Sequence, residues 1–232
     1  MTTRCTDIHD RGGQTGLTLL EVMIALAVLS AMLIMAWYTT SSSVDVKNNI
    51  ETVQEREHEI RVAMNRLVKD LQSAYLSRNE RTNTENRRTL FIGKSQSPVD
   101  ELRFSSLGHR VLWAESNESE QTLISYSAED DPDDGTKTNL VRRESRRLSN
   151  EQWESEPAEL DILLRGVERV EFEYFDWTED DWQDHWDSTK QDAERDRLPE
   201  RVRITITIRL DNNSEFKRTT QARIHLPEVL QF

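Results

Sequence analysis

The chain has 232 residues, 30 Lys plus Arg against 43 Asp plus Glu, a formal net charge of −13 and 35% hydrophobic residues. That length supports one packed core, and the acidic balance argues against gripping nucleic-acid phosphates, which takes clustered Lys and Arg. The single cysteine, Cys5, rules out an intramolecular disulfide or a thiolate metal site, and three of the seven glycines lie within the first sixteen residues, leaving little for a Gly-rich phosphate cradle downstream.

Residues 17–38 read LTLLEVMIALAVLSAMLIMAWY, 22 residues in which Glu21 is the sole charge. As a helix this run spans a hydrocarbon core of about 30 Å. It exceeds the roughly 7–15 apolar residues of a secretory signal, and no A-x-A-like site closes it. A carboxylate within such a span costs roughly 2.5–3.5 kcal/mol at a bilayer centre, so Glu21 marks function. The stretch Gly16-Leu17-Thr18-Leu19-Leu20-Glu21-Val22 resembles the type IV prepilin signal, usually written G-F-T-L-x-E, with Leu17 in place of the Phe. The resemblance implies peptidase cleavage between Gly16 and Leu17, N-methylation of Leu17, and a filament-assembly role for Glu21 as the fifth mature residue. A carboxylate at that position offsets the new terminal amine of its own or a neighbouring subunit. Arg4 and Arg11 in the leader favour a cytoplasmic N-terminus.

Beyond the span, Val46, Ile50, Val53, Ile60, Met64, Leu67 and Leu71 recur at helical spacing, with Glu57 the one polar occupant of the stripe. No Pro or Gly falls between Leu17 and Leu90, so the helix is expected to continue to about Ser77 with its amphipathic half packed on a sheet. From there the period alternates. Short strands are expected at 90–92, 102–104, 110–113, 122–126, 139–143, 161–165 and 167–175. The clearest is 202–210, where Val202, Ile204, Ile206, Ile208 and Leu210 share one face and Arg203, Thr205, Thr207 and Arg209 the other. Turn residues at 211–214 and a returning strand at 215–225 complete a hairpin. The plan is α+β: a long N-terminal helix, membrane-embedded in its first half, packed on antiparallel β-sheets. The segments expected are a leader at 1–16, a transmembrane helix at 17–38, its periplasmic continuation at 39–80 and a β-rich periplasmic domain at 81–232.

Features that suggest chemistry fail on inspection. His58-Glu59 opens like a zinc-protease motif, but Val62 stands where the second His belongs. An EF-hand read from Asp130 meets Pro132 and Val141 at liganding positions. Residues 176–187, DWTEDDWQDHWD, hold six acids and three tryptophans and are expected to form a solvated acidic loop pinned by Trp182 and Trp186. The same two tryptophans are candidate partner contacts, since tryptophan is over-represented at binding hot spots. No nucleophile elbow, Ser/Lys pair or Gly-rich loop occurs, so neither enzyme activity, a cofactor nor a metal is expected.

The run 163–176, LLRGVERVEFEYFD, followed by Trp182, Trp186 and the 198–206 segment LPERVRITI, is similar to the minor pseudopilin J family of type II secretion systems. That family carries an L-L-x-G-V-x-x-L-x-F-x-Y strand, a tryptophan-bearing loop and an L-P-x-x-V-x-L-x-L segment opening a late hairpin. Arg66-Leu67-Val68-Lys69-Asp70-Leu71 likewise resembles its R-L-x-x-D-L segment. The resemblance implies an inner-membrane subunit with a bent helix on two antiparallel sheets. It also implies partnership with minor pseudopilins I and K, the major pseudopilin and the prepilin peptidase, at the tip of a periplasmic filament whose assembly the subunit helps to start. The alternative is a minor type IV pilin that primes a pilus.

Overall fold

The computed structural model describes residues 18–77, 89–109, 120–145, 158–190, 194–210 and 213–230, with backbone alone at 40–52. The strand expected at 110–113 therefore lies outside the described residues, as do Gly16 and Leu17. Among the described residues one helix, α1 (Leu19–Gln72), precedes nine strands. The chain divides into two compact units, Met1–Thr52 and Val53–Phe232.

In the first unit, α1 begins at Thr18, whose hydroxyl accepts from the Glu21 amide at 3.3 Å while its carbonyl accepts from the Glu21 and Val22 amides. A threonine in this place serves the otherwise unpaired amides of a first turn. Leu19–Thr39 is, by length and composition, long and apolar enough to cross a membrane. Its two aliphatic hydroxyls bond within the helix: Ser30 donates to the Leu26 carbonyl at 2.7 Å and Thr39 to that of Met35 at 2.9 Å.

In the second unit, the remainder of α1 buries Ile60, Ala63, Met64, Leu67 and Leu71. The stripe thus holds from Ile60 onward, while Val53 is 39% exposed. Its one polar member, Glu57, is met by Arg218. The helix ends at Gln72 rather than near Ser77, because the chain there joins the sheet: Ser73 bonds Ser106 through its hydroxyl, and the Tyr75 amide donates to the Ser105 carbonyl at 3.1 Å.

The strands are β1 (Phe91–Lys94), β2 (Glu101–Ser106), β3 (Thr122–Asp130), β4 (Thr138–Ser145), β5 (Glu159–Asp176), β6 (Asp181–Gln183), β7 (Trp186–Asp187), β8 (Arg201–Arg209) and β9 (Glu215–Arg223). They form one antiparallel sheet in the order β7-β1-β2-β3-β4-β5-β8-β9, with β6 on β5. Where two sheets were expected, a single ladder runs through the 18-residue β5, which pairs β4 along Glu159 to Val167 and β8 along Val167 to Phe175. The two strands read at 161–165 and 167–175 are therefore one, kinked where Gly166 adopts φ +62° and the register shifts. An L side chain is disfavoured at that φ. Asn139 accepts the Gly166 amide at 3.0 Å, and Arg56 of α1 donates to the Arg165 carbonyl at 3.0 Å. β6 and β7 fall in the stretch expected to be loop.

The sheet curls until β5 meets the β1–β2 connection. Asp100, 3% exposed, accepts the Phe172 amide at 2.9 Å and the Gln96 amide at 2.9 Å, and its own amide donates to the Val170 carbonyl. Inside lies an aromatic series: Tyr126 near Phe104 at 6.4 Å between centroids, Phe104 on Phe91 at 5.7 Å, Tyr174 edge-on to Phe91 at 5.9 Å, and Trp186 beside Tyr174 at 6.4 Å. The Tyr174 hydroxyl packs against Gly93, where a Cβ would fall 2.0 Å from its oxygen. Overpacking a core in this way costs about 1–3 kcal/mol. Gly93→Ala is expected to lower the chemical-denaturation midpoint of the detergent-solubilised chain accordingly; an unchanged midpoint would show that the ring has room to move.

Candidate assembly surface

Among the described residues no group of three or more His, Cys, Asp or Glu side chains is arranged to hold a metal ion. The acidic turn after β3 explains its own charges. Asp131 accepts from the Asp133 and Asp134 amides at 2.9 and 3.2 Å, from Asn139 at 2.9 Å and from Arg165 at 3.3 Å. The Asn139 bond first, and then the Asp133 amide, hold its carboxyl below the ordinary value. These are the bonds of a hairpin tip.

The sequence-predicted residues occupy different surroundings. Glu21 stands exposed in the first turn of α1, one helical turn from Thr18. Trp182, on β6, is half-buried and lies on the outer face of the β5–β8 ladder. Its ring sits 5.3 Å from that of Phe175, with the Arg203 guanidinium 3.8 Å from its centroid and that of Arg201 6.0 Å away. Trp186 is 0% exposed. Its strand pairs β1, its ring packs beside Tyr174, and its indole donates to the Arg197 carbonyl at 3.1 Å. A side chain enclosed in this way offers a partner nothing, so the expectation of a contact at Trp186 is corrected: it is a core residue that anchors the loop.

The tryptophan missed in the sequence is Trp177, which is 60% exposed. Strand alternation marks it: Phe172, Tyr174 and Asp176 point into the core from β5, so 173, 175 and 177 point out. The turn that carries it is tightly held. Asp176, 2% exposed, accepts from the Thr178 amide at 2.8 Å, the Thr178 hydroxyl at 2.6 Å and two nitrogens of Arg197 at 3.0 Å each. Burial raises the Asp176 carboxyl, but Thr178 and Arg197 outweigh it and leave the group below its ordinary value.

A second polar assembly pins α1 to the sheet. Arg142 of β4, 2% exposed, donates through Nε to Asp70 of α1 at 2.5 Å and pairs through Nη2 with Glu144 at 2.7 Å. Tyr126 donates to the same Asp70 oxygen at 2.6 Å, Arg66 reaches the other at 3.3 Å, and His109 meets Glu144 at 2.8 Å. Burial and then Asp70 push the Tyr126 hydroxyl well above its ordinary value, so it stays a donor. Burial raises Glu144, but Arg142 and then His109 more than offset this and hold it low.

The family model for type II secretion system protein J matches residues 38–215, and the prokaryotic N-terminal methylation motif matches residues 11–37. Among solved structures, a chain of the GspK-GspI-GspJ complex from the enterotoxigenic Escherichia coli Type 2 Secretion System is similar at 17% identity, covering 72% of this chain and 97% of that one with a TM-score of 0.49. A type IV-like pilin from Thermus thermophilus is similar at 10% identity, covering 74% and 97% with a TM-score of 0.46. No curated protein matches.

Two outcomes follow. Arg142→Met takes from the buried Asp70 carboxylate its one buried cation and should destabilise the chain by about 3–5 kcal/mol, whereas Arg142→Met with Asp70→Leu, which removes both members of the pair, should recover most of that loss. Denaturant titration of the three proteins checks this, and equal losses in the single and double variants would contradict it. Glu144 and Asp176 titrate below their unfolded values of about 4.3 and 3.9. Their contribution is therefore complete above those values and lost as pH falls through the lower folded ones. The denaturation midpoint should stay level from pH 7 to about 5 and drop below about 4; a midpoint that does not fall on acidification would refute the assignment.

Proposed function

The chain belongs to the type II secretion system protein J family, and from that premise we propose that it works at the tip of the pseudopilus, where it joins minor pseudopilins I and K and helps to start filament assembly. It is a membrane-anchored minor pseudopilin of the secretion machinery, a structural subunit by family, with its apolar span at Leu19–Thr39. The observation that carries the reading is the family match across residues 38–215, together with the methylation motif directly before it.

The finer steps rest on the N-terminal motif. The prepilin peptidase cleaves between Gly16 and Leu17, the new Leu17 amine is methylated, and the β-rich unit faces the periplasm while the leader faces the cytoplasm. Glu21, in the first turn of α1, then lies within reach of a terminal amine, its own or that of a neighbouring pseudopilin, including the major one. A carboxylate paired there is tolerated in the bilayer where an orphan is not.

Intact-mass analysis of the membrane-extracted chain should give residues 17–232 plus one methyl group, and Gly16→Leu should leave the leader attached. The mature chain, co-expressed with I and K and extracted in detergent, should co-elute with at least one of them. Glu21→Gln should leave processing intact and abolish secretion of the system's export proteins. Co-elution with pilus minor pilins in place of I and K would move the protein to the pilus alternative.

A further inference from the structure

Outside the membrane-spanning segment, Trp177 is the exposed large aromatic side chain of the described residues, at 60%. Exposure alone says little, but the surroundings of this ring are unusual in two ways.

The first is rigidity. The turn 177–180 is clamped on both sides. On the β5 side, the Asp176 carboxylate ties down the Thr178 amide and hydroxyl and both terminal nitrogens of Arg197. Arg197 is itself placed by the core, since its carbonyl receives the Trp186 indole and its guanidinium lies 5.8 Å from the Trp186 ring. On the β6 side, Trp182 is held between Phe175 and Arg203, and Arg203 donates to Glu173 at 2.9 Å. These contacts hold Asp176, Thr178 and Trp182 around Trp177 and leave Trp177 itself outside. An aromatic ring presented on a preorganised turn binds without the ordering cost that a mobile loop carries.

The second is charge. The same turn bears Glu179, Asp180 and Asp181, all exposed, and Asp184 follows at 77% side-chain exposure. The adjacent cations already have partners: Arg197 pairs with Asp176, Arg203 with Glu173 on the outer face, and the Arg201 guanidinium lies over the Phe175 ring. An acid-rimmed tryptophan is a poor membrane anchor, because anionic headgroups repel it. It fits an apolar pocket on a protein whose rim carries Lys and Arg.

We propose that Trp177 is the anchor by which this subunit docks on a neighbouring minor pseudopilin, its indole filling an apolar pocket whose basic rim faces Glu179, Asp180, Asp181 and Asp184. This rests on the pseudopilus-tip reading and names the contact within it. A ring that is outside the core can be removed without unfolding the chain, so binding and stability separate.

The test uses full-length chain co-expressed with each candidate minor pseudopilin and extracted in detergent. Trp177→Ala should weaken co-elution at least about tenfold, as for a hot-spot residue, with an unchanged denaturation midpoint. Trp177→Phe should recover much of the binding. Glu179→Lys with Asp184→Lys should weaken association and remove much of its salt sensitivity. A photo-crosslinking amino acid at position 177 should join the partner beside Lys or Arg. Trp177→Ala binding within twofold of the parent, while the parent binds, overturns the inference and leaves the tip reading standing. So does a cross-link that goes to lipid. A parent chain that binds no minor pseudopilin overturns both.

Discussion

The placement of α1 depends on a buried cation. Arg142 reaches the helix from β4 and is enclosed there, so its charge must be met by Asp70 and Glu144. Burying such ions costs several kcal/mol each before their attraction is counted, which makes the pair a weak source of stability. Its value lies in register. A helix turns about 100° per residue, so a slip of one position carries Asp70 away from Arg142 and Tyr126, leaving the buried Tyr126 hydroxyl without its acceptor and Arg142 with Glu144 alone at close range. The apolar stripe of Ile60, Ala63, Met64, Leu67 and Leu71 sets only the approximate face. The ion pair narrows it, and thereby fixes which residues remain outside: Arg61, Val62, Asn65, Arg66 and Lys69. In a subunit that meets neighbours, the choice of outer face matters as much as the strength of the inner one.

The same logic governs β5. A single strand serves β4 in its first half and β8 in its second, so the sheet must change direction at their junction. Gly166 supplies the backbone conformation, Asn139 captures its amide and Arg56 captures the neighbouring carbonyl. The edge of β5 that the kink leaves behind is taken up by Asp100 through Val170 and Phe172. Buried backbone groups are thereby paired on both sides of the bend. The tryptophan loop grows from the far end of this strand, so its position derives from the kink, the Asp100 closure and the Asp176–Arg197 pair in turn.

What could be read from the sequence was whatever depends on local period. The inward set of the Val202 to Ile208 alternation is reproduced in β8, whose Val202, Ile204, Ile206 and Ile208 are all wholly buried; Thr205 of the other face is buried too, its hydroxyl paired with that of Thr219. The helical stripe is equally local. Contacts across long separations were not legible: Asp70 and Arg142 lie 72 residues apart and Arg218 and Glu57 161, and neither pairing leaves a spacing signal. Glu57 looked like a flaw in an apolar stripe because its cation lies on the last strand. The tryptophans divide on the same ground. Trp186 is buried because a two-residue strand pairs β1, which no periodicity could announce, whereas the outward direction of Trp177 follows from extending the alternation of β5 by one residue. The Arg66 to Leu71 segment was recognised as a resemblance, and the structure gives its polar members a task, since Arg66 and Asp70 both belong to the buried network.

The N-terminal motif joins two demands at one place. Thr18 begins the helix by accepting the Glu21 amide, and a helix that begins there puts Glu21 in its first turn. In that position a carboxylate is favoured by the partial positive charge of the helix N-terminus. The proposed cleavage before Leu17 would add a full positive charge close by, and the two stabilise the anion in the same sense. The threonine and the glutamate are therefore not independent features of a recognition sequence. The first sets where the helix starts, and the start puts the second, three residues on, where the amine exposed by the proposed cleavage would meet it in an apolar phase that tolerates no orphan charge.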